Sequence, residues 1–190
     1  MENFTGEFVQ EVDNGKVILS FKDGKKDGVT KFIDKNGITL SEINYKNDLI
    51  HGEIRQYYPN GTLLSIINYE YGIQNGSFTS FYESGMKQLE TSYKDGKTDG
   101  LFSVYDEFGD KINECLYKDG QKHGKNIIYY PRAQGGTVYE VSYYENGLLT
   151  NDKMTFYSNG EIMSTTPYIK GKAQAYSKNF TLSGSETKNR

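Results

Sequence analysis

Among the 190 residues, the side chains with the types to ligate a metal or activate a nucleophile are His51, His123, Cys115 and two aspartate pairs, Asp23 with Asp27 and Asp95 with Asp99. Both histidines fall immediately before a recurrent glycine, in a slot filled elsewhere by Asp27, Asn75 and Asp99, residue types that tolerate turn geometry. Calcium takes about six to eight oxygens. The stretch "DGKTD" brings two carboxylates separated by a lysine, which reads as a solvated turn. Cys115 lies in the middle of a strand-like run, with no helix N-terminus to lower its pKa and its nearest histidine, His123, in the next turn. It reads as a packed or half-exposed thiol. Glycines spaced 9, 11 and 4 apart with no following helix do not form a phosphate-cradling loop. Catalytic, metal and cofactor sites are therefore not expected.

The elements that position these residues come from a repeat. Gly28, Gly52, Gly76, Gly100 and Gly124 are each 24 residues apart. A second column holds Gly37, Gly61, Gly85 and Gly109, displaced to Gly136 by three extra residues in "PRAQGG". A third holds Gly72, Gly96, Gly120, Gly147 and Gly171. Tyr45, Tyr69, Tyr93, Tyr117, Tyr144 and Tyr168 precede that third column by three residues. Tyr57, Phe81, Tyr105, Tyr129 and Phe156 form a further aromatic column, counted in the last copy from Asn151 in the glycine slot. The frame runs from Gly6 to Gly184, about seven and a half copies, so residues 1–184 are expected to form one array and residues 185–190 a frayed tail.

Between the glycines lie runs such as "TLLSIINY" and "LFSVYDEF", with strand composition and length. The "PNG", "ESG", "EFG" and "SNG" segments supply tight turns, and glycine at this density excludes helices. The two glycines of "KDGKKDG" are expected to bracket the link from one hairpin to the next. The expected fold is all-β: an elongated, single-layer antiparallel meander of hairpin repeats, growing by about 10 Å per repeat. His51 and His123, 72 residues apart, would then be separated by three repeats, too far to share a zinc ion.

Composition narrows the function classes. A net charge of −3 with interspersed signs argues against nucleic acid, and a 14% aromatic content made mostly of tyrosine suits pleated, half-exposed surfaces. No run approaches the roughly 18 apolar residues of a membrane span. The start "MENFTGEFVQEVDNGK" lacks a signal-peptide pattern, and a cytoplasmic location is expected.

"GEIRQYYPNGTLLSIINYEYGIQNG" and "GLFSVYDEFGDKINECLYKDGQKHG" resemble the MORN repeat variant, with its glycine, aromatic pair, Asn-Gly turn, tyrosine and closing glycine. In bacteria such arrays are grouped with YwqK-like antitoxin components. The resemblance implies partner binding, with protein scaffolding and membrane lipids as the partners linked to MORN arrays generally. The expected function is a non-catalytic protein-interaction scaffold, antitoxin- or immunity-like, using one long face. The alternative is a module recognising carbohydrate or lipid headgroups, weakened by the absence of tryptophan and of a basic stripe.

Strand alternation separates two aromatic columns. Tyr57, Phe81, Tyr105, Tyr129 and Phe156 are expected to be a stacking ladder between repeats, and Tyr58, Tyr82, Tyr130 and Tyr157 the exposed partner surface. The turn glycines Gly37, Gly61, Gly85 and Gly160 are expected at positive φ. Two glutamates in the first strand, "EFVQEV", are expected to keep the chain monomeric or weakly paired through its ends.

Overall fold

The computed structural model describes residues 3–187. They fall into two compact units, Met1–Lys97 and Thr98–Arg190. The first contains β1 (Gly6–Val12), β2 (Gly15–Lys22), β3 (Lys25–Lys26), β4 (Gly28–Asp34), β5 (Thr39–Lys46), β6 (Leu49–Tyr57), β7 (Leu63–Glu70), β8 (Ile73–Phe81) and β9 (Lys87–Lys94). The two-residue β10 (Lys97–Thr98) straddles the boundary. The second unit contains β11 (Gly100–Tyr105), β12 (Lys111–Lys118), β13 (Gln121–Tyr129), β14 (Val138–Glu145), β15 (Leu148–Phe156), β16 (Ile162–Ile169), β17 (Lys172–Ala173), β18 (Lys178–Phe180) and β19 (Glu186–Thr187). Within each unit successive strands pair antiparallel, giving the all-β meander expected from the repeat. Among the described residues no helix is long and apolar enough to cross a membrane.

Two kinds of turn alternate. In the first, the Tyr58 N–H donates to the Thr62 carbonyl and the Gly61 N–H to the Tyr58 carbonyl, both at 2.8 Å, and Gly61 has φ +83°. This is a three-residue loop whose last position must be left-handed. Gly37, Gly85 and Gly160 match it at +84°, +85° and +89°, as expected from the sequence. In the second kind, both central residues have positive φ: Asn47 and Asp48, Asp95 and Gly96, Asn146 and Gly147. Such two-residue turns match the twist of the flanking strands.

The column from Gly28 to Gly124 departs from the expected link position. Gly52, Gly76 and Gly124 lie inside strands, and Gly28 and Gly100 begin them. Ile43 pairs with Ile54 and Tyr45 with Ile50, so β6 carries two more residues than β5 over the same rungs. The excess is a bulge at His51–Glu53 that bends the strand, and Gly52, at φ +97°, absorbs it. The repeat tyrosine sits opposite: Gly28 faces Tyr45, Gly52 faces Tyr69 and Gly76 faces Tyr93, and in the second unit Gly100 faces Tyr117 and Gly124 faces Tyr144. A Cβ at Gly28, Gly52, Gly76 and Gly124 would meet Ser20, Asn44, Asn68 and Leu116, respectively, of the preceding paired strand. Asn151, opposite Tyr168, takes the same conformation at φ +58°.

Two rungs beyond each bulge, cross-strand partners form a continuous seam. In the first unit it runs Thr30, Ile43, Ile54, Ile67, Phe78, Thr91. In the second it runs Phe102, Cys115, Asn126, Ser142. Ile54, Thr91, Cys115, Asn126 and Ser142 are buried, so the seam is part of the core of each unit, with Val17 and Ser65 in the first and Ser103, Val141 and Thr155 in the second buried beside it.

Hydrogen bonds along both rims tie repeat to repeat. At the two-residue turns, the Gly72 N–H donates to the Ile50 carbonyl, Gly96 to Gln74, Gly120 to Thr98 and Gly171 to Leu149, at 2.7–2.9 Å. The first such turn receives its acceptor from outside the strands, because the Gly24 N–H donates to the Phe4 carbonyl at 2.8 Å. At the other end Phe180 pairs with Glu186 and Asn179 with Thr187, so the sheet extends into the segment expected to fray. Residues 188–190 of that expected tail lie outside the described residues.

Candidate interaction surfaces

Tyr58, Tyr130 and Tyr157 follow directly after strands and are half-buried. Their hydroxyls donate to the Phe81, Phe156 and Phe180 carbonyls at 2.8, 2.8 and 2.9 Å. Each bond crosses to the next repeat, and the Tyr130 ring also meets the Tyr139 ring edge-on at 5.1 Å. Tyr82 is likewise half-buried. The array itself therefore uses the hydroxyl ends of the column expected to face a partner. Alternation carried no information about this, because the acceptors are main-chain carbonyls a full repeat away.

The other aromatic column does not act as a stacking ladder. Its members are two strands apart, about 10 Å, beyond the roughly 4.5–7 Å between stacked ring centres. Instead the Tyr57 hydroxyl donates to Glu42 Oε2 at 2.9 Å, while Lys31 Nζ lies 2.9 Å from Glu42 Oε1. The second unit builds the same trio with its lysine from another position, three residues before the glutamate on the same strand: the Tyr129 hydroxyl lies 3.2 Å and Lys111 Nζ 2.7 Å from the Glu114 carboxylate. The Lys31 hydrogen bond holds the Glu42 carboxyl below its ordinary range, and Lys111 does the same for Glu114. Burial, reinforced by the carboxylate, pushes both tyrosine hydroxyls up. The sequence carried a signal for these clusters. Tyrosine in this column has glutamate 15 residues earlier (Glu42, Glu90, Glu114), whereas Phe81 and Phe156 have Ile66 and Val141. A polar ring needs a partner for its hydroxyl and an apolar ring needs grease.

The slot before the glycine column caps the following two-residue turn. Asp27 Oδ2 accepts from the Asn47 N–H at 3.3 Å, and Asp99 Oδ2 from the Asp119 N–H at 3.2 Å. His51 occupies the equivalent place, its Nδ1 3.4 Å from the Tyr71 N–H and its ring 4.5 Å from the Tyr71 ring. His123 lies in the second unit, with Nδ1 buried and unpartnered among the described residues. Asp23 and Asp95 are the first residues of two-residue turns. Cys115 is 1% exposed and belongs to the seam, and burial pushes its thiol pKa up.

The two-residue turns create a surface that sequence reading did not isolate. Between consecutive turns of the first unit, Glu70, Tyr71, Ile73, Asn75 and Asp95 line a groove of about 230 Å³. In the second unit Glu145, Asn146, Leu148, Thr150 and Lys170 line one of about 290 Å³. These are the same five repeat positions. Ile73 and Leu148 floor the two grooves and remain about half exposed, as does Leu49 one repeat before Ile73. A third hollow, about 430 Å³, forms where the "PRAQGG" insertion widens the other rim, lined by Asp110, Lys111, Tyr129, Tyr130 and Arg132. There Arg132 Nε pairs with Asp110 at 3.2 Å.

Set beside known families, residues 26–47, 50–71 and 74–95 match the model of the MORN repeat variant. These three consecutive segments span about a third of the chain and all lie in the first unit. MORN repeats are in general protein- and membrane-interaction modules. No curated protein matches the chain.

Proposed function

We propose that the chain is a non-catalytic protein-interaction array that receives a protein partner at the two-residue turns of its units. The observation that carries this reading is the recurrence of one groove at equivalent positions in both units, floored by Ile73 and Leu148. Leu49, Ile73 and Leu148 are half-exposed aliphatic side chains at one repeat position, set among polar groups as a contact surface for another molecule would be. The match of three repeats to a family of interaction modules supports the same reading. An antitoxin- or immunity-like role in the cytoplasm is the specific form we favour, with the neutralised protein as the partner. The alternative, a carbohydrate or lipid-headgroup module, draws on the polar and aromatic hollow around Tyr129 and Arg132.

The test places photo-crosslinking residues at Ile73 and Leu148, and at Leu101 as an exposed control, and identifies the products by mass spectrometry. Capture of one protein from both rim positions, abolished by I73E with L148E at unchanged melting temperature, is the expected result. Capture that survives those substitutions, or binding in glycan and liposome screens lost only in R132E, would shift the assignment to the widened hollow.

A further inference from the structure

The first strand offers a different surface. β1 pairs with β2 over seven residues, from Gly6 opposite Phe21 to Val12 opposite Gly15. Among the described residues no strand pairs with its other side, and every residue of β1 is exposed. Val12 and Gly15 flank a two-residue turn and face one another, which makes them a pair that exchanges both backbone hydrogen bonds. Alternation then commits Gln10, Phe8 and Gly6 to β2 as well. It turns the N–H and C=O of Glu7, Val9 and Glu11 outward, an unpaired row ready to template another strand.

The side chains of those three residues share one face, with Val9 about half exposed between two carboxylates. From Asn3 to Asn14 the chain carries Glu7, Glu11 and Asp13 and no cation. A second copy added antiparallel about Val9 would set Glu7 against Glu11 twice, and like charges directly opposite each other destabilise a pair. A strand with lysine or arginine on either side of an aliphatic residue meets no such penalty.

We propose that the outer edge of β1 docks an extended basic segment of another protein, which adds to the sheet as a strand and sets its cations against Glu7 and Glu11. This mode takes affinity from main-chain hydrogen bonds and selectivity from alternate side chains. It stands on a different surface from the turn rim, and either can fail without the other.

The probe is a short synthetic peptide in which lysine alternates with valine, added to the full chain and read by fluorescence anisotropy and amide hydrogen exchange. Binding should slow exchange at Glu7, Val9 and Glu11 while leaving the amides already bonded to β2 unchanged. Val9→Pro deletes one outward N–H without touching a bond to β2, a substitution that strand edges tolerate. It should weaken binding about tenfold or more. E7K with E11K should abolish binding of the lysine peptide and create binding of its glutamate counterpart. No binding by the unaltered chain, binding undiminished in Val9→Pro, or exchange protection spread along the acidic surface would each overturn the proposal. So would a β1-dependent dimer in sedimentation, which would make a second copy the occupant. The I73E and L148E variant should bind the peptide normally, which separates this surface from the rim.

Discussion

The seams of the two units have the same cross-strand register and differ in chemistry at Ile54 and Asn126. In the first, Ile43, Ile54, Ile67 and Phe78 pack between Thr30 and Thr91, an apolar line with a hydroxyl at either end. In the second, the Asn126 amide nitrogen lies 3.1 Å from Ser142 Oγ, and Ser142 donates in turn to Glu140 at 3.2 Å. Asn113 donates to Asn126 Oδ1 at 3.2 Å, and Lys153 closes the chain on the other Glu140 oxygen at 2.8 Å. One backbone frame therefore accommodates either dispersion or a hydrogen-bonded network as its core. Register must be set elsewhere, by the bulge glycine, its facing tyrosine and the turns, which both units share.

The sharpest way to break this symmetry is to exchange the central residues. Ile54→Asn should destabilise the first unit by about 3 kcal/mol or more, because it removes aliphatic packing and buries an amide with no network to join. Asn126→Ile should cost the second about 1–3 kcal/mol, from the partners it strands. Chemical denaturation followed by exchange at unit-specific amides measures both, and equal losses would mean the seams are not chemically distinct. Next in size, Lys153→Met should cost about 1–3 kcal/mol, since it leaves the Glu140 carboxylate, 8% exposed, without its cation.

The carboxylate clusters predict stability limits at both ends of the pH scale. Glu42 and Glu114 have folded-state pKa values below their unfolded ones, near 4.3, so their contribution is present above that value and fades as pH falls through the folded pKa. Tyr57, Tyr129, Lys31 and Lys111 are raised, so their contribution is complete below about pH 10 and is lost as pH rises through the folded values. Melting temperature against pH should show both limbs, and E42Q with E114Q should flatten the acid one. Smallest of all, Thr30→Val should be neutral or stabilising by up to about 1 kcal/mol, because the Thr30 hydroxyl is buried without a partner among the described residues. A clear loss of stability would reveal a partner for that hydroxyl.

Much of this architecture could be read from residue spacing. The glycine columns announced the hairpins, and the Asn-Gly type turns adopt the expected left-handed φ. The column led by Gly28 was harder to place, because glycine marks any left-handed position and spacing alone does not separate a turn from a bulge. The tyrosines held the answer, since each glycine of that column pairs with one across the ladder and a turn glycine pairs with none. Tyr58 and its equivalents looked free because alternation reports which face a side chain takes and says nothing of its reach, and their hydroxyls bond to carbonyls 23 and 26 residues on. The turn-rim grooves were invisible for a related reason. Each is assembled from five positions spread over 26 residues, and their types vary between the two copies.

The Phe4 carbonyl, which receives the Gly24 N–H, has a consequence for how the length of the molecule can change. Each two-residue turn asks only for a main-chain acceptor one repeat upstream, and even a segment outside the strands can meet that demand. Excising residues 50–73 would join Leu49 to Gln74, whose carbonyl already serves Gly96, and leave every remaining turn with an acceptor. The main-chain demand at such a junction is therefore already met, and what a 24-residue excision changes is side-chain pairing: Phe81 takes the place of Tyr57 opposite Glu42.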